Sequence, residues 1–186
     1  MNTDALLLRL DAFSARDREA ALRTLAAATP FPPAGHSLNL HMHSFFSYNA
    51  AGASPAHLAY DARRAGLWAA GLCDFDVLDG LDEFLRAGLI LGLRTAVHLE
   101  TRVFVPSLAD REINSPGEPG VAYLMGAGFA HTPKPTAPEG RTLSAWRRRA
   151  AARNQALIDR INRQVPEIAI ALERDVLPLT PRDAPT

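Results

Sequence analysis

The sequence predicts an α/β fold built on parallel strands, and three observations carry that expectation. At Ser37 the apolar pattern switches to strict alternation, with Leu38, Leu40 and Met42 on one side and Asn39, His41 and His43 on the other, which is the period of a strand. Two more short apolar runs follow, over residues 67–73 and 94–103. The segments between these runs carry helix start and stop signals. Strand, helix, strand, helix, strand at this spacing reads as successive parallel βαβ units.

Length and composition bound what such a fold could do. A chain of 186 residues, 47% hydrophobic and 22% charged, is sized for one domain with at most a small appendage. It buries enough surface to fold without disulfides or a structural metal, so any metal it holds is expected to be functional. The 20 basic and 20 acidic side chains cancel, which removes the global argument for nucleic acid or an anionic membrane. The lone Cys73 excludes an internal disulfide framework and a four-cysteine zinc site, and its setting is expected to be reducing and cytoplasmic. No apolar run approaches the roughly 20 residues that span a bilayer. Asp4, Asp11, Asp17 and Glu19 contradict a targeting peptide, so the N-terminus reads as structure.

Residues 4–28 predict two helices, the second opened by Ser14 with Asp17 three positions on, a capping-box pattern. Pro30, Pro32 and Pro33 cannot continue a helix. The division is therefore a helical extension over 1–30 and an α/β domain over 36–186. Ser54-Pro55 gives an N-cap followed by proline at the first helical position, and Gly66 ends that helix. Residues 79–92 predict a second amphipathic helix. Further on, residues 112–114 suit a strand leading into the turn Ser115-Pro116-Gly117-Glu118-Pro119-Gly120, and 121–125 suit a strand or a short helix. Three prolines make 131–140 a loop, 142–164 is a helix, and 166–174 favours a helical turn. Arg147, Arg148, Arg149, Arg153, Arg160 and Arg163 spread around the 142–164 helix with only Trp146 to stack a base. They read as a solvated face or as partners of acidic surface rather than a nucleic-acid site.

The side chains that suggest chemistry lie on the strands. His41 and His43 are two apart, so both imidazoles leave the same face, about 7 Å apart at the backbone. His98 and Glu100 form a second such pair near the C-terminal end of the third strand, where parallel α/β folds assemble their sites. Imidazole and carboxylate suit a transition metal. Asp74 and Asp76 close the second strand; Asp74 is expected to accept backbone donors or orient a neighbour. Cys73 reads as a small buried side chain, Ser44 and Ser47 lack the glycine pattern of a nucleophile elbow, and His36 and His57 fit no ligand spacing.

Over residues 38–104 these motifs, in order and spacing, resemble the polymerase and histidinol phosphatase (PHP) family. Its opening His-x-His-Ser/Thr-x-x-Ser-Asp is matched by His41-Met42-His43-Ser44-Phe45-Phe46-Ser47-Tyr48, its Ala-Gly-Leu by Ala65-Gly66-Leu67, its Thr-Asp-His-Asp by Cys73-Asp74-Phe75-Asp76, and its Gly-x-Glu by His98-Leu99-Glu100. Residues 104–126 resemble a bacterial branch of the family. The resemblance implies the N-terminal part of a distorted (β/α)7 barrel with a metal cluster at the C-terminal strand ends. It implies divalent Zn, Mn or Fe held by His41, His43 and Glu100, with His98 and the downstream His131 as further ligands and Asp74 and Asp76 as catalytic carboxylates. It implies hydrolysis of a small phosphorylated substrate by a metal-dependent phosphoesterase.

The departures are Tyr48 at the acidic position, Phe75 at a ligating histidine, His98 at the glycine, and no closing Asp-x-His. They leave two other expectations open. One is a degenerate domain that binds a metal or phosphorylated ligand without turnover; the other is a fragment that needs missing barrel strands. An incomplete barrel is expected to show an open apolar edge near its C-terminal segment and to self-associate.

Overall fold

The computed structural model describes residues 2–47 and 50–181. Tyr48 lies outside the described residues. Two helices come first, α1 (Thr3–Leu10) and α2 (Ala15–Ala28), and the Ser14 side chain caps α2 by accepting from the Asp17 amide, as the sequence predicts. Strand β1 (Leu38–Met42) follows, then α3 (Pro55–Arg64), β2 (Ala69–Phe75), α4 (Leu81–Leu91) and β3 (Arg94–Phe104). Ser54 caps α3 with Pro55 in the first turn, and Gly92 ends α4 in the left-handed region at φ 63°.

The three strands are neighbours in the order β1-β2-β3, all parallel, as βαβ connectivity requires. The fourth, β4 (Val121–Ala127), pairs antiparallel with β3, from Phe104 opposite Val121 to His98 opposite Ala127. Only a single short helical turn, Pro106–Leu108, lies between β3 and β4, and a connection without a crossover helix allows the antiparallel return. Residues 112–114, suited to a strand in the sequence, form none. Instead the Asn114 side chain accepts from the Tyr123 amide at 2.7 Å and donates to its carbonyl at 3.1 Å, supplying from a side chain what a neighbouring strand would supply from its backbone. The last long helix, α5 (Pro138–Gln164), begins four residues before the expected Thr142, because Pro138 sits in its first turn, where a missing amide hydrogen costs nothing. After it, 166–171 is irregular and Leu172–Val176 is a single wide helical turn.

One irregularity shapes the site. The β1–β2 register shifts by one residue between Asn39 and Met42. A Cβ on Gly71 would lie 2.6 Å from the Leu40 carbonyl oxygen, so only glycine admits the backbone of β1 this close. The bulge breaks the alternation expected over 38–43: beyond it Met42 packs against the core, while Leu38 and Leu40 remain 54% and 41% exposed.

Helices cover one face of the sheet. Ala70, Leu72, Val97 and Leu99 point into a single core with Tyr60 of α3 and Phe84 of α4. Leu6, Leu10, Leu22 and Leu25 of the N-terminal helices join the same core. An ion pair fastens them: Arg18, 1% exposed, grips Glu83 of α4 with two nitrogens and donates to the Ala12 carbonyl at 2.6 Å. Asp11 adds a second tie, accepting from the Ser54 amide and contacting His57 Nδ1, both at 2.7 Å. The outer strands of the sheet are β1 and β4, and exposed apolar side chains lie on both, Leu38 and Leu40 on the first and Leu124 and Met125 on the second. Among the described residues, no helix is long and apolar enough to cross a membrane.

Candidate metal centre

Alternation puts every second residue of a strand on the helix-free face. Cys73 and Phe75 of β2 lie there opposite His98 and Glu100 of β3, and β1 brings His41 and His43 beside them after its bulge. His41 Nε2 is 3.3 Å and His43 Nε2 3.7 Å from Glu100 Oε2, and the two imidazole rings meet edge to face with centroids 4.9 Å apart. One ligand atom from each of the three residues falls within 4.8 Å of the others. His41 is the exposed member and Glu100 the buried one, so the group opens to one side.

The electrostatics suit ligation. Burial and the neighbouring His41 hold His43 below the usual imidazole range, against the pull of Glu100 and the Cys73 backbone. Burial and His41 do the same to His98. Both rings are thereby kept neutral near pH 7, the form that offers a lone pair to a metal. Nδ1 of His43 and Nε2 of His98 are buried with no hydrogen-bond partner. His43 Nδ1 lies on the other side of the ring from the Nε2 that faces Glu100, and His98 stands outside the group of three, so the fit to a cation rests on the donor set itself, two imidazoles and one carboxylate.

The other sequence candidates lie elsewhere. His98 shares the face and feels His41, but its donors fall outside the group of three. His131 is exposed in the loop before α5 and is also outside that group. Asp74 points to the covered face, where it accepts from both the amide and the hydroxyl of Ser44 at 2.6 Å. Burial, helped by the charge of Asp79, pushes its pKa up to about 7 against those two hydrogen bonds. Asp76 takes a left-handed backbone at φ 61°, donates its amide to the Glu100 carbonyl at 2.9 Å and accepts from Thr101 Oγ1 at 2.6 Å. Thr101 follows Glu100 on the strand and so faces away from it. Asp76 lines a cavity of about 740 Å³ among α2, α4 and α5, whose lining includes none of the three candidate ligands. Cys73 is buried, and burial together with Glu100 and Asp74 pushes its thiol up to about 11, the inert side chain its surroundings suggested.

A further residue on this face stands outside the motifs of the resemblance. On β3, Arg102 continues the alternation of His98 and Glu100. Its guanidinium carbon lies 5.7 Å from the centre of the Tyr123 ring, and Tyr123 meets Phe75 edge to face at 5.9 Å. The motif His98-x-Glu100-x-Arg102 was the available signal.

No family model and no curated protein sequence matches the chain. Among solved structures it is similar to a protein from Bifidobacterium adolescentis described as a candidate metal-dependent phosphoesterase. The likeness has a TM-score of 0.52 at 19% identity, over 76% of this chain and 43% of that one. The fold is shared. The chain therefore has the mixed α/β architecture of a partial barrel, a parallel-rich four-stranded sheet with helices, and spans under half the length of that neighbour.

Proposed function

We propose that the chain is a metal-dependent phosphoesterase of the PHP type, working with a reduced metal site. The observation that carries this reading is the convergence of His41, His43 and Glu100 at the open face of a phosphoesterase-like half-barrel. A divalent Zn, Mn or Fe ion bound by these three would lower the pKa of a bound water and polarise a phosphate oxygen. The protein's own part is to hold the ligands. Asp74, through Ser44, fixes the turn that follows His43, and Asp76, through its amide, fixes the backbone of Glu100. Both are positioning residues, and His98 stands at the margin of the site as a reserve ligand. His131 forms no part of the set. The substrate is a small phosphorylated molecule, the setting is cytoplasmic, and the outer strands β1 and β4 support self-association.

A second reading, binding without turnover, draws support from Phe75. This side chain packs on Tyr123 where the resemblance places a ligating histidine, which leaves fewer donors for a second ion. Elemental analysis and phosphomonoester hydrolysis, run on the parent and on His41→Ala with His43→Ala, separate these outcomes. The phosphoesterase reading expects metal in the parent alone, with slow hydrolysis that the double substitution abolishes. Metal with no hydrolysis in the parent would favour the binding protein, and equal, near-zero metal in both would refute the site.

A further inference from the structure

We propose that Arg102 receives the substrate's phosphate, and that this makes the site selective for phosphomonoesters over diesters; the proposal rests on the phosphoesterase reading above. Arg102 lies two residues beyond Glu100 on the same strand face, about 7 Å along β3. Arg102 therefore shares the face of the three candidate ligands toward the C-terminal end of the strand, with its guanidinium over the Tyr123 ring.

The charge balance calls for such a group. One divalent ion with two neutral imidazoles and one carboxylate leaves a single net positive charge to face a phosphomonoester dianion. Phe75 stands on the neighbouring ground against the Tyr123 ring and offers a second ion no donor. The planar fork of arginine matches two phosphate oxygens at once. A terminal phosphate has three free oxygens, enough for a two-pronged grip on Arg102 and one contact to the ion. A diester has two, and cannot satisfy both.

The surroundings of Arg102 are those of an anion subsite holding a stand-in. Tyr123 supports the guanidinium from below. Glu118, from the turn before β4, supplies a carboxylate to it, and Ser115 Oγ donates to that same carboxylate. The side chains of Arg102 and Glu118 are 38% and 42% exposed. Exposed ion pairs contribute little net stability, so a phosphate can displace Glu118 at small cost.

The test titrates inorganic phosphate into the chain by calorimetry, with and without prior loading with Mn²⁺, for the parent, Arg102→Ala, Arg102→Lys and Glu118→Gln. Metal content is measured alongside. The loaded parent is expected to bind phosphate, Arg102→Ala to bind it at least tenfold more weakly at unchanged metal content, Arg102→Lys to recover part of that loss, and Glu118→Gln to bind several-fold more tightly. Equal phosphate affinity in the parent and Arg102→Ala, or no phosphate binding by the loaded parent, would overturn the proposal. Arg102-dependent phosphate binding in a chain that takes up no metal would keep the subsite while refuting the phosphoesterase reading. Metal uptake with phosphate binding indifferent to Arg102 would do the reverse.

Discussion

The two faces of the sheet are made by the same strands and do opposite work. On the covered face Leu72, Val97 and Leu99 sit in a core with Phe84 and Tyr60, and four helices exclude water from it. On the helix-free face the alternate residues of those strands are His41, His43, His98, Glu100 and Arg102, and two of them, His43 and His98, have a buried nitrogen that lacks a partner. A strand's period of two lets stability and chemistry be chosen separately at adjacent positions. The contrast teaches that the polar face can tolerate unmet hydrogen-bonding groups because the other face carries the fold.

That separation can be broken first where it should be strongest. Phe84→Ala empties a fully buried site on the covered face and should cost about 3–5 kcal/mol of stability, measured by urea unfolding, with metal stoichiometry unchanged in the folded fraction. A loss of metal at full folding would show that the faces are not independent.

Asp74 sharpens the comparison, because it is a covered-face carboxylate that serves the open face through Ser44. Its pKa is raised from the usual carboxylate value near 3.8 to about 7, so between those values the folded chain holds a proton that the unfolded chain has lost. Stability from this group is complete below about pH 4, falls as pH rises towards 7, and is level above it. With a shift of roughly three units the total is about 4 kcal/mol. His43 and His98, held low by burial, act in the opposite sense, since their contribution fades as pH falls below the usual imidazole range. Comparing Asp74→Asn with the parent cancels the histidines. The parent's unfolding free energy should decline relative to the variant's between pH 4.5 and 7, and a constant difference would show that Asp74 does not titrate there.

Gly71 is the position where both faces should fail together. A methyl group there meets the Leu40 backbone, so Gly71→Ala should push β1 outward, cost about 1–3 kcal/mol, and weaken metal binding by carrying His41 and His43 away from Glu100. Lost stability with intact metal affinity would mean that the bulge does not set the site.

Much of this was legible in the sequence, for local reasons. Ser14 and Ser54-Pro55 mark helix starts by chemistry that acts within one turn, and the order of three strands follows from the two helices between them. The His41, His43 and Glu100 group was visible as two pairs at a spacing of two. What escaped depends on contacts between distant segments. The bulge in β1 is set by Gly71, some thirty positions away, and no periodicity within β1 reveals it. The direction of β4 and the strand-like role of the Asn114 side chain arise only once β3 is there to pair with. Asp74 and Asp76 looked alike as a pair of carboxylates two apart, yet the left-handed turn at Asp76 and the embrace of Ser44 give each a separate position behind the site.

The central claim is that His41, His43 and Glu100 form one metal site on the open face. Calorimetric titration of Mn²⁺ or Zn²⁺ into the parent and into Glu100→Gln tests it most directly, because glutamine keeps the shape of the side chain and removes only its charge. The parent should bind one ion per chain and Glu100→Gln should bind it at least tenfold more weakly, with both proteins equally stable in the absence of metal. Indistinguishable binding curves for the two proteins would contradict it.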